Sequence, residues 1–146
     1  MRTSLLLLVL AACVVGCGGN GKTNVNTGDS LVPEQTMAAL QSAVLTRDAD
    51  LIRNQIDTQY LDDCENKAEL VDAILDVIGT SGAIQFTVMP ITNKSVNVNL
   101  GRAEFDGGFR IVVDDATPRS MTRSGHMMLR RDNGPWRLYG EQDCNN

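Results

Sequence analysis

The apolar residues of this chain change their period once, near Gly82, and that change calls for helices first and strands afterwards. Before it they recur every three or four positions, and after it they alternate, as helix faces and strand faces require. Met37, Leu40 and Val44, with Ala38, Ala39 and Ala43, mark a first helix. Pro33 suits its opening turn, where a missing N–H costs nothing. Asp48 is placed to cap a short second helix carrying Leu51, Ile52 and Ile56. Tyr60-Leu61 follows, and Asp62-Asp63-Cys64-Glu65 reads as a loop. Asn66 and Glu69 have the spacing of a capping box. Leu70, Val71, Ile74, Leu75 and Ile78 then give the third helix one apolar stripe, which Gly79 ends.

Beyond Gly82, Ile84 to Val98 reads as a long strand interrupted near Pro90, where the missing N–H predicts a bulge or an edge. Asn99-Leu100-Gly101 turns the chain. Arg102 to Val113 returns as a second strand, which Gly107-Gly108 should bend sharply. Asp114 to Ser120 is a polar loop, and Met121 to Arg131 a third strand. Asp132-Asn133-Gly134-Pro135 is a tight turn, and Trp136 to Gln142 a fourth strand. Helices followed by a meander of long strands make an α+β design, with the helices packed in an antiparallel sheet of at least four strands.

The N-terminus carries an address. Arg2 precedes an apolar run from Leu5 to Leu10, too short for a membrane span of about 20 residues but suited to a signal peptide. Val14-Val15-Gly16-Cys17 resembles the lipobox of bacterial lipoproteins. The resemblance implies cleavage after residue 16 and a diacylglyceryl group with palmitate-type chains on Cys17. Leu10-Ala11-Ala12-Cys13 fits the same pattern, but cleavage there would leave a signal shorter than the usual 15 or so residues. Residues 17–32 follow as a Gly/Asn/Thr-rich tether that cannot bury enough apolar surface to order itself. A single domain then occupies 33–146. The expected location is the cell envelope. Gly18, in place of an Asp after Cys17, points to the outer membrane facing the periplasm.

That compartment governs the remaining cysteines. Cys64 and Cys144 form an even pair in an oxidising environment, which suggests a disulfide closing a loop of about 80 residues. Two unrelated thiols are the alternative, and a two-cysteine metal site would have only His126 as an imidazole partner. No metal and no cofactor is expected. The formal net charge is −5, or −6 once Arg2 leaves with the signal. With no run of Lys and Arg, that argues against nucleic acid. Arg130 and Arg131 make one small basic spot, read as a solvated strand edge.

Ala43 through Ile52 with Tyr60-Leu61, and the hairpin Met127 through Tyr139, resemble the first helix and the closing hairpin of nuclear-transport-factor-2-like domains. The likeness spans roughly residues 33–143. It implies a cone, a strongly curved sheet around the helices, often with a pocket at its mouth and often dimeric through the sheet's outer face. Trp136 would pack inward.

Enzymes of that superfamily use pocket acids and bases, for which His126, Tyr60, Tyr139, Asp106 and Asp114 are the available residue types. His126 shares a strand face with Met128 and Arg130, opposite the more apolar Met127 and Leu129, so it is expected to point outward. Asp62, Asp63 and Glu65 lack the spacing of a calcium loop. Asp72 and Asp76 lie on the polar side of their helix. No Ser/His/Asp order, phosphate loop or helical zinc motif occurs. Met89, Met121, Met127 and Met128 could line an adaptable apolar pocket or simply fill the core. The expectation is a non-catalytic envelope module that binds a small apolar ligand or an envelope protein, with Tyr60, His126 and Met128 as ligand-binding candidates. A purely structural homodimer and an isomerase- or cyclase-type enzyme are the alternatives.

Overall fold

A 3-10 turn at Asp29–Leu31 leads into α1 (Val32–Leu45), which starts one residue before Pro33. The computed structural model describes residues 29–144. Cys13, Cys17 and the signal segment lie outside them, as does the tether up to residue 28. Helix α2 (Ala49–Gln55) opens where Asp48 accepts hydrogen bonds from the amides of Asp50 and Leu51 at 3.0 and 2.9 Å. Helix α3 (Lys67–Ile78) opens on the complete capping box: Asn66 Oδ1 accepts from Ala68 and Glu69, and Glu69 Oε2 accepts from the Asn66 amide at 2.8 Å. Arg47 ties the end of α1 to the helix–strand junction by donating to the carbonyls of Ser81 and Gly82.

Strands β3 (Ala83–Val88) and β4 (Thr92–Asn97) run end to end along one edge of β5 (Arg102–Asp114), separated by the break around Pro90. On its other edge β5 pairs with β6 (Arg119–Arg130), which pairs with β7 (Arg137–Leu138). All pairings in this five-stranded sheet are antiparallel. Gly107 faces Gly125 across β5 and β6, and Met89 donates to the Gly108 carbonyl where β3 gives way to β4. The sheet therefore bends at one glycine-rich level and curls around the helices.

Inside the curl, Phe105, Phe109, Ile111 and Leu129 meet Met37 and Leu40 of α1 and Leu70, Ile74 and Ile78 of α3, none more than 1% exposed. Phe86 stacks on Phe109 with ring centroids 5.4 Å apart. Each such side chain contributes roughly 1.5–3 kcal/mol through burial. Met121, Met127 and Trp136 pack against this core partly buried.

Two elements differ from the sequence reading. The stretch 62–65 is a small hairpin, β1 (Leu61–Asp62) with β2 (Glu65–Asn66), turned by Asp63 and Cys64 at φ 45° and 64°. Two consecutive positive φ values match the twist of a two-residue hairpin loop. The last strand is also shorter than Trp136 to Gln142. After Tyr139 the chain leaves β6 at Gly140 (φ 76°), whose missing Cβ would lie 2.2 Å from the Leu61 carbonyl oxygen. The tail then bonds to the hairpin: Gln142 N–H donates to Leu61 O at 2.9 Å and Cys64 N–H to Asp143 O at 3.3 Å. A Cys64–Cys144 disulfide closes it, with Cα atoms 4.5 Å apart.

Gly108 makes the bend testable. At φ 152°, a Cβ there would meet the Arg123 carbonyl oxygen at 2.0 Å, and that atom is backbone, pinned in the β5–β6 ladder. Gly108→Ala should cost about 3 kcal/mol, combining backbone strain with overpacking. Gly125→Ala, at φ 140° with nothing within 4 Å, should cost about 1 kcal/mol. Urea denaturation midpoints with unchanged slopes check both values.

Candidate functional site

The buried ring of Tyr60 follows the turn that leaves α2, and it forms one wall of a recess of about 390 Å³. Arg53, Lys67, Ala68, Val71 and Asp72 also line it. Its character is mixed. Tyr60 and Val71 supply buried apolar surface, while Arg53 and Lys67 supply positive charge. The Lys67 ammonium donates to the Ile56 carbonyl at 2.7 Å and forms no ion pair with a carboxylate among the described residues. Loss of hydration, then repulsion from Arg137 and Arg53, hold its pKa below the ordinary lysine value, with Asp57 pulling the other way. Burial and the charges of Asp62 and Glu65 push the Tyr60 phenol well above its usual pKa, so it stays protonated. Tyr60 is thus a wall of the recess whose hydroxyl donates to Asp62.

A second recess of about 590 Å³ lies between the β1–β2 hairpin, the C-terminal tail and β6. Asp62, Asp63, Glu65, Glu141 and Asp143 line it with Arg123 and His126. Most of these acids are already engaged. Glu65 pairs with Arg123 at 2.5 Å, Asp62 Oδ1 accepts the Glu141 amide, and Asp143 Oδ1 accepts the Asp63 amide at 3.4 Å. Among the described residues, no three His, Cys, Asp or Glu side chains converge on a metal-sized site. His126 is exposed on the outer face of the sheet and stands opposite Asp106, its register partner, with Nδ1 3.2 Å from Oδ1. Asp106 also accepts from Asn93 Nδ2 at 2.6 Å. The Asn93 bond and then the His126 bond keep the Asp106 carboxyl below its usual pKa.

The three ligand-binding candidates do not share a site. Tyr60 lines the first recess and His126 the second. They connect through Asp62, whose Oδ2 accepts from the Tyr60 hydroxyl at 3.5 Å and which itself lines the acidic recess. Met128 lines neither; it lies opposite Glu104, where its carbonyl accepts the Tyr139 amide. The residues that sequence reasoning missed are Arg53 and Lys67. One signal was available: Lys67 directly follows the N-cap Asn66, and a cation in the first turn of a helix opposes the helix dipole.

No protein-family model and no curated protein sequence matches this chain. Solved structures do resemble it. A candidate aromatic ring hydroxylase from Novosphingobium aromaticivorans superposes with a TM-score of 0.59 at 15% identity, over 80% of this chain and 88% of that one. A nuclear-transport-factor-2-like protein of unknown function from Pseudomonas putida gives 0.56 at 17% identity, over 79% and 84%. A protein of unknown function with a cystatin-like fold from Nostoc punctiforme gives 0.56 at 16% identity, over 81% and 91%. At these identities the likeness establishes the fold. The described residues share the fold of these proteins, three helices packed against a strongly curled antiparallel sheet.

Proposed function

We propose that this chain is a lipid-anchored envelope protein whose domain binds, without catalysis, a small amphiphilic anion in the recess walled by Tyr60. The observation that carries the reading is Lys67, a partly desolvated ammonium without a carboxylate partner, set beside the apolar Tyr60 and Val71. A carboxylate on an apolar body would supply a direct ion pair and cover the ring. Proteins of this fold hold varied ligands or none, so the fold alone does not choose among them. Anchoring rests on the lipobox-like stretch ending at Cys17. Two features support the absence of catalysis. Phe105 and Phe109 fill the interior of the curl, and His126 stands exposed on the outer face.

Titration with medium-chain and aromatic carboxylates, followed by calorimetry on the oxidised chain, tests the reading. Lys67→Met should weaken binding on the order of tenfold to a hundredfold, the value of a charge-assisted hydrogen bond. The pH dependence has a definite sign. Anion binding favours protonated Lys67, so affinity is full below its depressed folded pKa and falls as pH rises through it. The free domain behaves oppositely. It gains stability as pH climbs from that depressed value towards the unfolded lysine value of about 10.4, because the penalty on the partly desolvated charge disappears. Affinity unchanged by Lys67→Met and flat with pH would refute the site.

A further inference from the structure

The register of the sheet places three arginines directly abreast. Arg102 of β5 pairs with Arg130 of β6, which pairs with Arg137 of β7. Like charges opposite one another in a sheet are destabilising unless something negative sits among them. Part of the compensation is internal: Arg130 donates to Gln59 Oε1 and feels the Asp57 charge, and Arg137 donates to the Asn54 carbonyl. Asp132 pairs with Arg130, while Arg102 has no acidic partner among the described residues. Arg102 and Arg130 both lie against the Tyr139 ring, 4.5 and 5.3 Å from its centroid, and Arg131 lies 5.0 Å from that of Trp136. Stacking of this kind orients the guanidinium planes in advance, and at Arg102 it leaves the N–H edges for an anion. Four arginines thus gather at one end of a chain whose net charge is −5.

The same end carries an exposed apolar tip. Leu100, in the β4–β5 turn, is 71% exposed, the highest value among the exposed large hydrophobic residues described. Arg131 joins the two turns, its N–H donating to the Gly101 carbonyl and its guanidinium to Val98 O. A protruding leucine, a half-buried tryptophan and a fringe of arginines form the combination that settles at the boundary between anionic headgroups and acyl chains. The chain also enters the domain close by. Lys94 of β4 holds the carbonyl of Ser30 at 3.1 Å, and Asn97, three residues further along that strand, is the register partner of Arg102. Three strand residues span about 10 Å.

We infer that this end of the sheet docks on an anionic phospholipid surface, with Leu100 entering the headgroup layer and the arginines on the phosphates. The inference builds on the anchor proposed at Cys17, which would hold this end near the bilayer.

Trp136 is the only tryptophan, so it reports the event by itself. The full-length processed chain is reconstituted in vesicles of phosphatidylcholine alone or of phosphatidylcholine with phosphatidylglycerol, each carrying brominated acyl chains as quenchers. Quenching of Trp136 is expected in the anionic vesicles, reversed by salt and removed by Leu100→Ser, an exposed site whose change leaves the core intact. Arg102→Gln and Arg131→Gln should each lower the ratio of docked to undocked chain about fivefold. Equal quenching in both vesicle types, or quenching indifferent to Leu100→Ser, overturns the proposal. Competition by inorganic phosphate beyond a chloride control of equal ionic strength would overturn it too, in favour of a site for free phosphate. Retention on the neutral vesicles after a salt wash reports the acyl anchor separately, so a failed anchor and a failed docking surface give different results.

Discussion

Serine at both Cys64 and Cys144 is expected to lower the stability of the domain by about 4 kcal/mol. The bond joins residues 80 apart in sequence, and closing a loop of that length removes about this much chain entropy from the unfolded state. The folded state has little to replace it. Beyond Gly140 the tail is held by backbone bonds to Leu61 and Cys64 and by bonds through the Asp62, Asp143 and Gln142 side chains, on a hairpin of two residues per strand. The positive φ values of Asp63 and Cys64 add local strain that the cross-link opposes. Denaturation of the oxidised wild type, the reduced wild type and the double variant should give one high midpoint and two matching low ones. Three coincident midpoints would show that the bond contributes nothing.

Phe105→Ala should cost about 3–5 kcal/mol, the range for emptying a buried aromatic site. Phe105 is fully buried in the strand that every other strand of the main sheet except β7 touches. Its ring lies so near Gly107 that a Cβ on that glycine would come within 3.2 Å of it. Collapse around the vacancy would have to move the bend itself. Thermal and urea unfolding of the variant, compared with the much milder Trp136→Phe at a half-buried position, measures the difference. A loss under 1 kcal/mol would mean that the core repacks freely around the bend.

What the sequence revealed and what it hid divide along physical lines. Caps, stripes and breaks depend on neighbours within a few positions, so Asp48, the Asn66–Glu69 box, Gly79 and the interruption at Pro90 could be read directly. Alternation likewise puts Leu129 inside and His126 outside. The β1–β2 hairpin was hidden because its turn uses Asp63-Cys64, where Asn-Gly is the usual signal. The shortened last strand follows from the tail's commitment to that hairpin, a contact some 80 residues distant in sequence. Arg130 and Arg131 looked like a minor basic spot because only strand register brings Arg102 and Arg137 beside them. The Tyr60 recess likewise needs α2, α3 and the start of β7 in place before Arg53, Lys67 and Arg137 feel one another.

Native mass spectrometry of the chain, purified in mild detergent without reductant, bears directly on both the proposed ligand and the proposed anchor. The expected protein mass begins at acylated Cys17 and is short of two hydrogens for the Cys64–Cys144 bond. An added small mass is expected to leave on denaturation, to fragment as a carboxylic acid and to be absent from Lys67→Met. A native ion of wild type with no releasable mass, identical to that of Lys67→Met, would contradict the ligand assignment.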